Sequence, residues 1–185
     1  MRSLHRAHVD AFLARAIPST PGLRGLHAAC GLGERGLYRP SPSQRWFGFD
    51  LLGGDVRADF HAIPFRSGSF DLVRCSEALY FVRPQSLAGV LGELRRVLKM
   101  GGRFVATVPA LFPPICEGDQ TRLTPFAWRR ILPYLDVEIV RLGGLWTTVV
   151  TFLEHVSRVF SVLRPLARLD ARYPHVATAY GLICE

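Results

Sequence analysis

The sequence predicts an α/β protein built on a doubly wound, mostly parallel sheet. Segments with the apolar runs of buried strands alternate along the chain with segments whose apolar residues recur at helical spacing. Right-handed crossovers between parallel strands would place helices on both faces of the sheet. With 185 residues, of which 49% are hydrophobic, the chain can form one core, and we expect one domain.

The first half of the chain supplies one helix and four extended segments. An amphipathic helix is predicted over residues 3–17, closed by Pro18, and near one of its faces lie Leu4, His8, Ala11, Phe12 and Ala16. Strands are predicted over residues 23–29, 45–50, 55–60 and 68–76. The two prolines of "YRPSPSQ" argue against a long crossover helix after the first of these strands.

The second half continues the alternation. A helix is predicted over residues 84–98, ended by "MGG", with one apolar stripe formed by Leu87, Val90, Leu91, Leu94, Val97 and Leu98. A strand over 103–109, a loop over 110–123, a helix over 125–132 and a strand over 136–142 follow. A second helical stripe holds Val149, Phe152, Val156, Val159 and Leu163, and a last strand is predicted within residues 175–184.

Composition and charge argue against several classes of function, a nucleic-acid-binding protein among them. The net charge of +8 could indicate a nucleic-acid partner, but the basic residues are scattered, Lys99 is the only lysine, and no nucleic-acid motif accompanies them. The four cysteines are far apart, which argues against a zinc site and a disulfide framework. No stretch reaches the roughly 18 apolar residues of a transmembrane helix, and the start lacks the apolar core of a signal peptide, so we expect a cytoplasmic protein.

The middle of the chain resembles the class I S-adenosylmethionine-dependent methyltransferases, in particular the branch with an "LPF.dgSFD" core. The matching text is "GFDLLGGDVRADFHAIPFRSGSFDLVRCSEALYFV", continued by "ELRRVLKMGGRFVATVP". The likeness covers roughly residues 23–145. It implies a Rossmann-like, seven-stranded sheet with the first crossover helix trimmed. It also implies one domain over 1–185, with an N-terminal helix and linker (1–22), a cofactor-binding core (23–109) and a substrate side (110–185).

The resemblance implies S-adenosylmethionine as the cofactor and an ordered set of contacts to it. In parallel sheets the ligand lies outside the carboxyl ends of the strands, where an acid can accept hydrogen bonds from both ribose hydroxyls. Asp50 matches this ribose-binding acid, and Asp59 matches the acid that meets the adenine amino group. The full expected set is Ala29, Cys30, Gly31, Gly33, Asp50, Leu51, Asp59, Phe60, His61 and Cys75.

Three positions depart from the family pattern. His27 stands where the family has an acid, Ala29 where it has its first loop glycine, and Phe81 where a histidine is common. His27 cannot replace the fixed negative charge of a carboxylate. A left-handed backbone at Ala29 would cost about 1 kcal/mol or more.

Two functions from different classes follow. The first is a methyltransferase acting on a small molecule, with Glu77, Tyr80 and Arg122 as candidate substrate contacts and no metal. The second is a catalytically degenerate relative that binds or scaffolds, since fold alone does not establish turnover. A dinucleotide oxidoreductase is disfavoured because the loop lacks GxGxxG. The sequence leaves the methyl acceptor and the oligomeric state open.

Overall fold

Helices and strands alternate along the chain in the computed structural model, which describes residues 3–31, 41–111, 117–132, 136–172 and 175–185, without the side chain of Arg158. The strands are β1 (Arg24–Ala28), β2 (Arg45–Asp50), β3 (Val56–Arg57), β4 (Phe70–Ser76), β5 (Leu98–Pro109), β6 (Val137–Leu142) and β7 (Ala179–Cys184). The α-helices are α1 (Leu4–Ala16), α2 (Pro84–Val97), α3 (Pro125–Ile131) and α4 (Leu145–Val156). Two 3₁₀ helices span Leu79–Phe81 and Arg158–Arg172.

The described strands form one seven-stranded sheet in the order β3-β2-β1-β4-β5-β7-β6. All pairs are parallel except those of β7, which runs antiparallel to both β5 and β6. The predicted Rossmann-like fold is thereby confirmed. The expected trimming of the first crossover helix falls on residues 32–40, which lie outside the described residues.

Helices cover both faces of the sheet. On one face α2 packs against Val73, Phe104 and Ala106, with Trp128 of α3 in the same cluster. On the other face α1 packs against Leu72 and Val105. Phe12 and Ala16 of the predicted face of α1 are buried, but the other buried residues of this helix are His5, Val9 and Leu13. Ala11 is exposed instead.

The predicted α2 stripe is buried from Leu87 to Val97, but the helix ends one residue earlier than expected. Leu98 already has extended backbone and pairs with Phe70, so β5 begins there rather than at Arg103. Gly101 has φ +69, and the register between β4 and β5 shifts between Phe70 and Leu72. The glycine pair therefore forms an irregularity within the strand, where we expected the end of a helix.

The predicted second helical stripe is divided at Ser157, whose backbone is extended. The long 3₁₀ helix replaces the expected continuation. Within α4 the buried residues are Thr147, Val150 and Thr151, whereas Phe152 is 49% and Val156 69% exposed. The polar side faces inward because it meets the start of α1: Thr151 Oγ1 accepts from the backbone N–H of His5, and Glu154 Oε2 accepts from that of Leu4.

The described helices include none with both the length and the apolar character needed to cross a bilayer.

Candidate functional site

A cavity of about 810 Å³ opens where strands β1 to β4 end at their carboxyl ends. Its lining is mainly apolar, with a few polar groups, which is typical of small-molecule sites. The structure brings eight of the expected contact residues into its wall: Ala29, Gly31, Asp50, Leu51, Asp59, Phe60, His61 and Glu77. Phe81, Arg83 and Ser86 also line it, and the sequence did not single out Arg83 or Ser86.

Two residues of the loop after β1 have left-handed backbone conformation, Ala29 with φ +52 and Gly31 with φ +72. Glycine adopts this region freely, whereas alanine is strained there because its Cβ approaches the carbonyl oxygen. The alanine in place of the family's first loop glycine therefore has the positive φ that the sequence analysis identified as costly. Gly33 lies outside the described residues.

Asp50, at the end of β2, anchors this loop. Its Oδ2 accepts a hydrogen bond from the Gly31 backbone N–H at 2.9 Å, and its Oδ1 accepts one from Leu52 at 3.0 Å. An ionised carboxylate offers about four acceptor positions, so two hydrogen bonds leave room for further donors. Asp50 both shapes the loop and presents acceptors to the cavity.

Asp59 and His61 form a pair at the β3 end of the cavity. Asp59 Oδ1 accepts from the His61 backbone N–H at 2.9 Å and lies 2.6 Å from His61 Nδ1. These hydrogen bonds, the backbone one first, lower the pKa of the Asp59 carboxyl. Both side chains are about half exposed, so they can meet a ligand at the cavity mouth.

The side chains of the two expected cysteine contacts point elsewhere. Cys30 Sγ lies against the backbone of Gly48 and Gly54, both of which would clash with it if they carried a Cβ. Cys75 is fully buried in β4, and burial raises the pKa of its thiol to about 12. Neither Cys30 nor Cys75 is among the residues that line the cavity.

Glu77 follows β4 with an unusual backbone, φ +52. Its N–H donates to the Thr107 carbonyl at 2.9 Å and to Thr107 Oγ1 at 3.2 Å, which holds this conformation against β5. Its Oε2 lies 3.0 Å from His5 Nε2, and both side chains are about nine-tenths buried. The sequence analysis missed His5, although the residue extends the buried face of α1 by one turn toward the sheet edge.

The other two substrate candidates lie outside the cavity wall. Arg122 forms an ion pair with Asp119, and its Cζ lies 5.7 Å from the centre of the Tyr80 ring. The Tyr80 carbonyl accepts from the backbone N–H groups of Gln120 and Thr121. Tyr80 reaches the cavity indirectly, since its ring packs 4.2 Å from the ring of Phe81, which is part of the wall.

His27 is buried in β1 beside Arg74 of β4. Arg74 Nη2 lies 3.1 Å from both His27 Nδ1 and Nε2. A nitrogen in the ring plane at these distances would collide with Cε1, so the guanidinium lies over the ring face. Burial first, and the Arg74 charge second, lower the His27 pKa to about 3. The histidine is therefore neutral near pH 7.

Comparison with known proteins gives a consistent result. The family described as a methyltransferase domain matches residues 43–106. Malonyl-[acyl-carrier protein] O-methyltransferase of Herminiimonas arsenicoxydans is 31% identical over 150 residues, covering 71% of this chain and 54% of that protein. The chain spans 21% to 54% of the length of the curated relatives it matches.

Solved structures of similar fold extend over nearly the whole chain. A SAM dependent methyltransferase from Archaeoglobus fulgidus superposes with a TM-score of 0.60 at 20% identity, covering 97% of this chain and 93% of that one. Phosphoethanolamine N-methyltransferase 2 of Haemonchus contortus, in complex with S-adenosyl-L-methionine, gives 0.63 at 15% identity, covering 96% and 52%. At these identities the likeness establishes the fold.

Proposed function

Because this chain belongs to the class I S-adenosylmethionine-dependent methyltransferases, we propose that it binds S-adenosylmethionine and transfers the methyl group to a small-molecule acceptor. The observation that carries the proposal is the cavity at the carboxyl ends of β1 to β4, with Asp50 and Asp59 in its wall. Its volume falls within the range of roughly 300–1,000 Å³ usual for small-ligand sites.

The residues of the cavity fit the cofactor in size and chemistry. Asp50 keeps free acceptor positions for the ribose hydroxyls, and Asp59 for the adenine amino group. The apolar wall that would meet the adenine is formed by Phe49 and Phe60, whose rings pack edge to face at 5.7 Å. The remaining proposed contacts are Ala29, Gly31, Leu51 and His61, with Gly33, and with Cys30 and Cys75 through backbone atoms.

Bound S-adenosylmethionine would supply an activated methyl group: an acceptor lone pair attacks the methyl carbon while the carbon–sulfur bond breaks and sulfur keeps the bonding pair. The chain's contribution is alignment and exclusion of water. Leu51, Phe60 and Phe81 give the cavity apolar walls. Such a displacement needs a general base only when the acceptor has a high pKa, so Phe81 in place of a histidine is compatible with turnover.

The methyl acceptor would bind on the side of the cavity near Phe81. Tyr80 and Arg122 stay proposed contacts that shape this side through Phe81 and the neighbouring loop. We also propose a cytoplasmic location, because the described cysteines Cys30, Cys75 and Cys184 are free thiols, which is typical of reducing compartments.

Two measurements test the proposal. Calorimetry with S-adenosylmethionine and S-adenosylhomocysteine should give saturable binding, and no heat from either ligand would refute it. Incubation with methyl-deuterated S-adenosylmethionine and a metabolite extract should then give a deuterated product by mass spectrometry. A reaction without the protein is the control for product formed by other routes. Binding without any product would favour the degenerate alternative.

A further inference from the structure

Glu77 occupies a defined place along the cavity. The strand order β3-β2-β1-β4 puts Asp59, Asp50 and Glu77 at the ends of β3, β2 and β4, with β1 between the last two. Neighbouring strands lie about 4.8 Å apart, so Asp50 and Glu77 are separated by roughly 10 Å along the sheet edge. A ligand with its ribose at Asp50 and its base at Asp59 would therefore extend its third part toward Glu77.

The Glu77 carboxylate has one engaged oxygen and one that is not. Oε2 faces His5 Nε2, as described above. Oε1 is buried and accepts no hydrogen bond from any residue in the described ranges. A buried carboxylate oxygen that lacks a donor is costly, and such groups are rare in native structures unless a ligand or water satisfies them. Glu77 is thus a buried acid in the cavity wall with an unused acceptor.

The neighbouring strand offers no competing negative charge. His27 of β1 is buried under Arg74, and neither residue is among those that line the cavity, so β1 contributes no carboxylate to it. Among the lining residues that the structure describes, Glu77 is the one carboxylate at the ends of β1 and β4. A ligand with an ammonium group at this end of the cavity would therefore bind Glu77.

The methionine end of S-adenosylmethionine carries such an ammonium group. We propose that Glu77, oriented by His5, binds the α-ammonium of the cofactor and so supplies the negative charge that β1 lacks. This inference rests on the proposed function. It assigns Glu77 to the cofactor rather than to the methyl acceptor.

His5 is a positioning residue in this arrangement. Its backbone N–H donates to Thr151 Oγ1, which fixes the first turn of α1 against α4. Its ring nitrogen then holds Oε2, so that Oε1 remains for the ammonium. The Glu77 backbone is fixed from the other side by Thr107. The carboxylate is therefore held at both ends before a ligand arrives, which favours binding.

The test compares two ligands that share the adenosine part. S-Adenosylhomocysteine carries the α-ammonium, whereas 5′-methylthioadenosine lacks the amino-acid end. By calorimetry, Glu77→Gln should weaken binding of S-adenosylhomocysteine by about 10- to 100-fold, as expected for loss of a charged hydrogen bond, and leave 5′-methylthioadenosine unchanged. Glu138→Gln, an exposed position on β6 at the far edge of the sheet, is the matched control.

The outcomes separate the inference from the function on which it rests. Equal weakening of both ligands, or an unchanged affinity for S-adenosylhomocysteine, would overturn the role of Glu77 while leaving cofactor binding intact. A wild-type protein that binds neither ligand would refute the proposed function itself. If Glu77→Gln does not fold, wild-type protein can be titrated with S-adenosylhomocysteine lacking its α-amino group, and equal affinity for the two compounds would overturn the inference.

Discussion

Arg74 covers the ring of His27, with its Nη2 at 3.1 Å from both ring nitrogens, in the middle of the parallel sheet. The two residues lie opposite each other in the register of β1 and β4. Burial of the His27 ring, and then the positive charge of Arg74, oppose its protonation, which is why the His27 pKa is lowered to about 3. This pair makes the sheet sensitive to acid.

The first prediction concerns that sensitivity. Because the folded His27 pKa is about 3 and the unfolded one is near 6.5, the unfolded chain binds a proton between these values that the folded chain does not. Stability should be complete above about pH 6.5 and fall as the pH drops, by at most about 1.4 kcal/mol per pH unit from this residue. Urea unfolding at several pH values measures the slope.

His27→Gln should flatten that slope in part. A residual slope of the same sign is expected from His8, whose pKa is also lowered, chiefly by burial. His175→Gln is the matched control, since His175 is exposed. An identical slope in wild type and His27→Gln would show that His27 is not the acid-sensitive group.

The second prediction concerns Ala29. Replacing it by glycine removes left-handed strain of roughly 1–2 kcal/mol but makes the unfolded chain more flexible, so the net gain in unfolding free energy should be about 0.5–1 kcal/mol. Its neighbour Ala28 is fully buried within β1, and Ala28→Gly should instead cost about 1–2 kcal/mol. Denaturant melts of both variants check the opposite signs, and destabilisation by Ala29→Gly would contradict the strain.

The alternation of strands and helices could be predicted because the local sequence marks these elements. The strands contain short apolar runs, and α2 has apolar residues at helical spacing. The α2 stripe from Leu87 to Val97 is an example, since a helix packed on a sheet needs only one apolar side. The arrangement of α4 could not be predicted in this way. Its polar face is buried because Thr151 and Glu154 meet backbone groups at the start of α1, far away in sequence.

The third prediction concerns the two sides of α4. Val150 is fully buried and Val156 is 69% exposed, although both belong to α4. Val150→Ala should lower the unfolding free energy by about 2 kcal/mol through lost burial and the cavity left behind. Val156→Ala should change it by less than about 0.5 kcal/mol. Thermal or urea melts measure both variants. If Val156→Ala lowered the unfolding free energy as much as Val150→Ala does, the side of α4 that carries Val156 would have to be buried against another part of the protein.

The fourth prediction tests the acid at the end of β2. Asp50→Ala should weaken S-adenosylhomocysteine and 5′-methylthioadenosine alike, by about 10- to 100-fold, because both ligands carry the ribose. Asp71→Ala is the matched control, since Asp71 lies at the amino end of the central strand β4, whereas the cavity lies at the carboxyl ends of the strands. Loss of affinity for only one of the two ligands in the Asp50 variant would exclude the ribose as its partner.

The fifth prediction concerns the contact between Gly181 of β7 and Phe12 of α1. A Cβ on Gly181 would overlap the Phe12 ring, so Gly181→Ala should cost about 1–3 kcal/mol by overpacking. Combining it with Phe12→Leu should cost less than the sum of the two single changes, because the smaller side chain relieves the overlap. Strict additivity in urea melts would show that α1 does not rest on this strand.

In the candidate site, too, some features could be predicted from local sequence, whereas others depend on contacts between residues that are distant in sequence. Asp50 is the last residue of β2 and Asp59 lies just after β3; both strands were predicted from local sequence, so the place of these acids at the carboxyl ends of the strands could be predicted as well. The partnership of Glu77 with His5 joins residues 72 positions apart and depends on how α1 crosses the sheet. The stacking of Arg74 on His27 likewise depends on the register between β1 and β4. The sequence shows Arg74 within an apolar strand but not which residue of the neighbouring strand it meets.

The attachment of α1 ties the start of the chain to the occupancy of the cavity. Leu4 and His5 are anchored to α4, and the His5 ring reaches Glu77. A ligand that binds the carboxylate only while His5 is in place must, by mass action, favour the docked form of α1. Cleavage of the first helix by a protease added in trace amounts would then slow as ligand concentration rises, so the rate of that nick reports how full the cavity is.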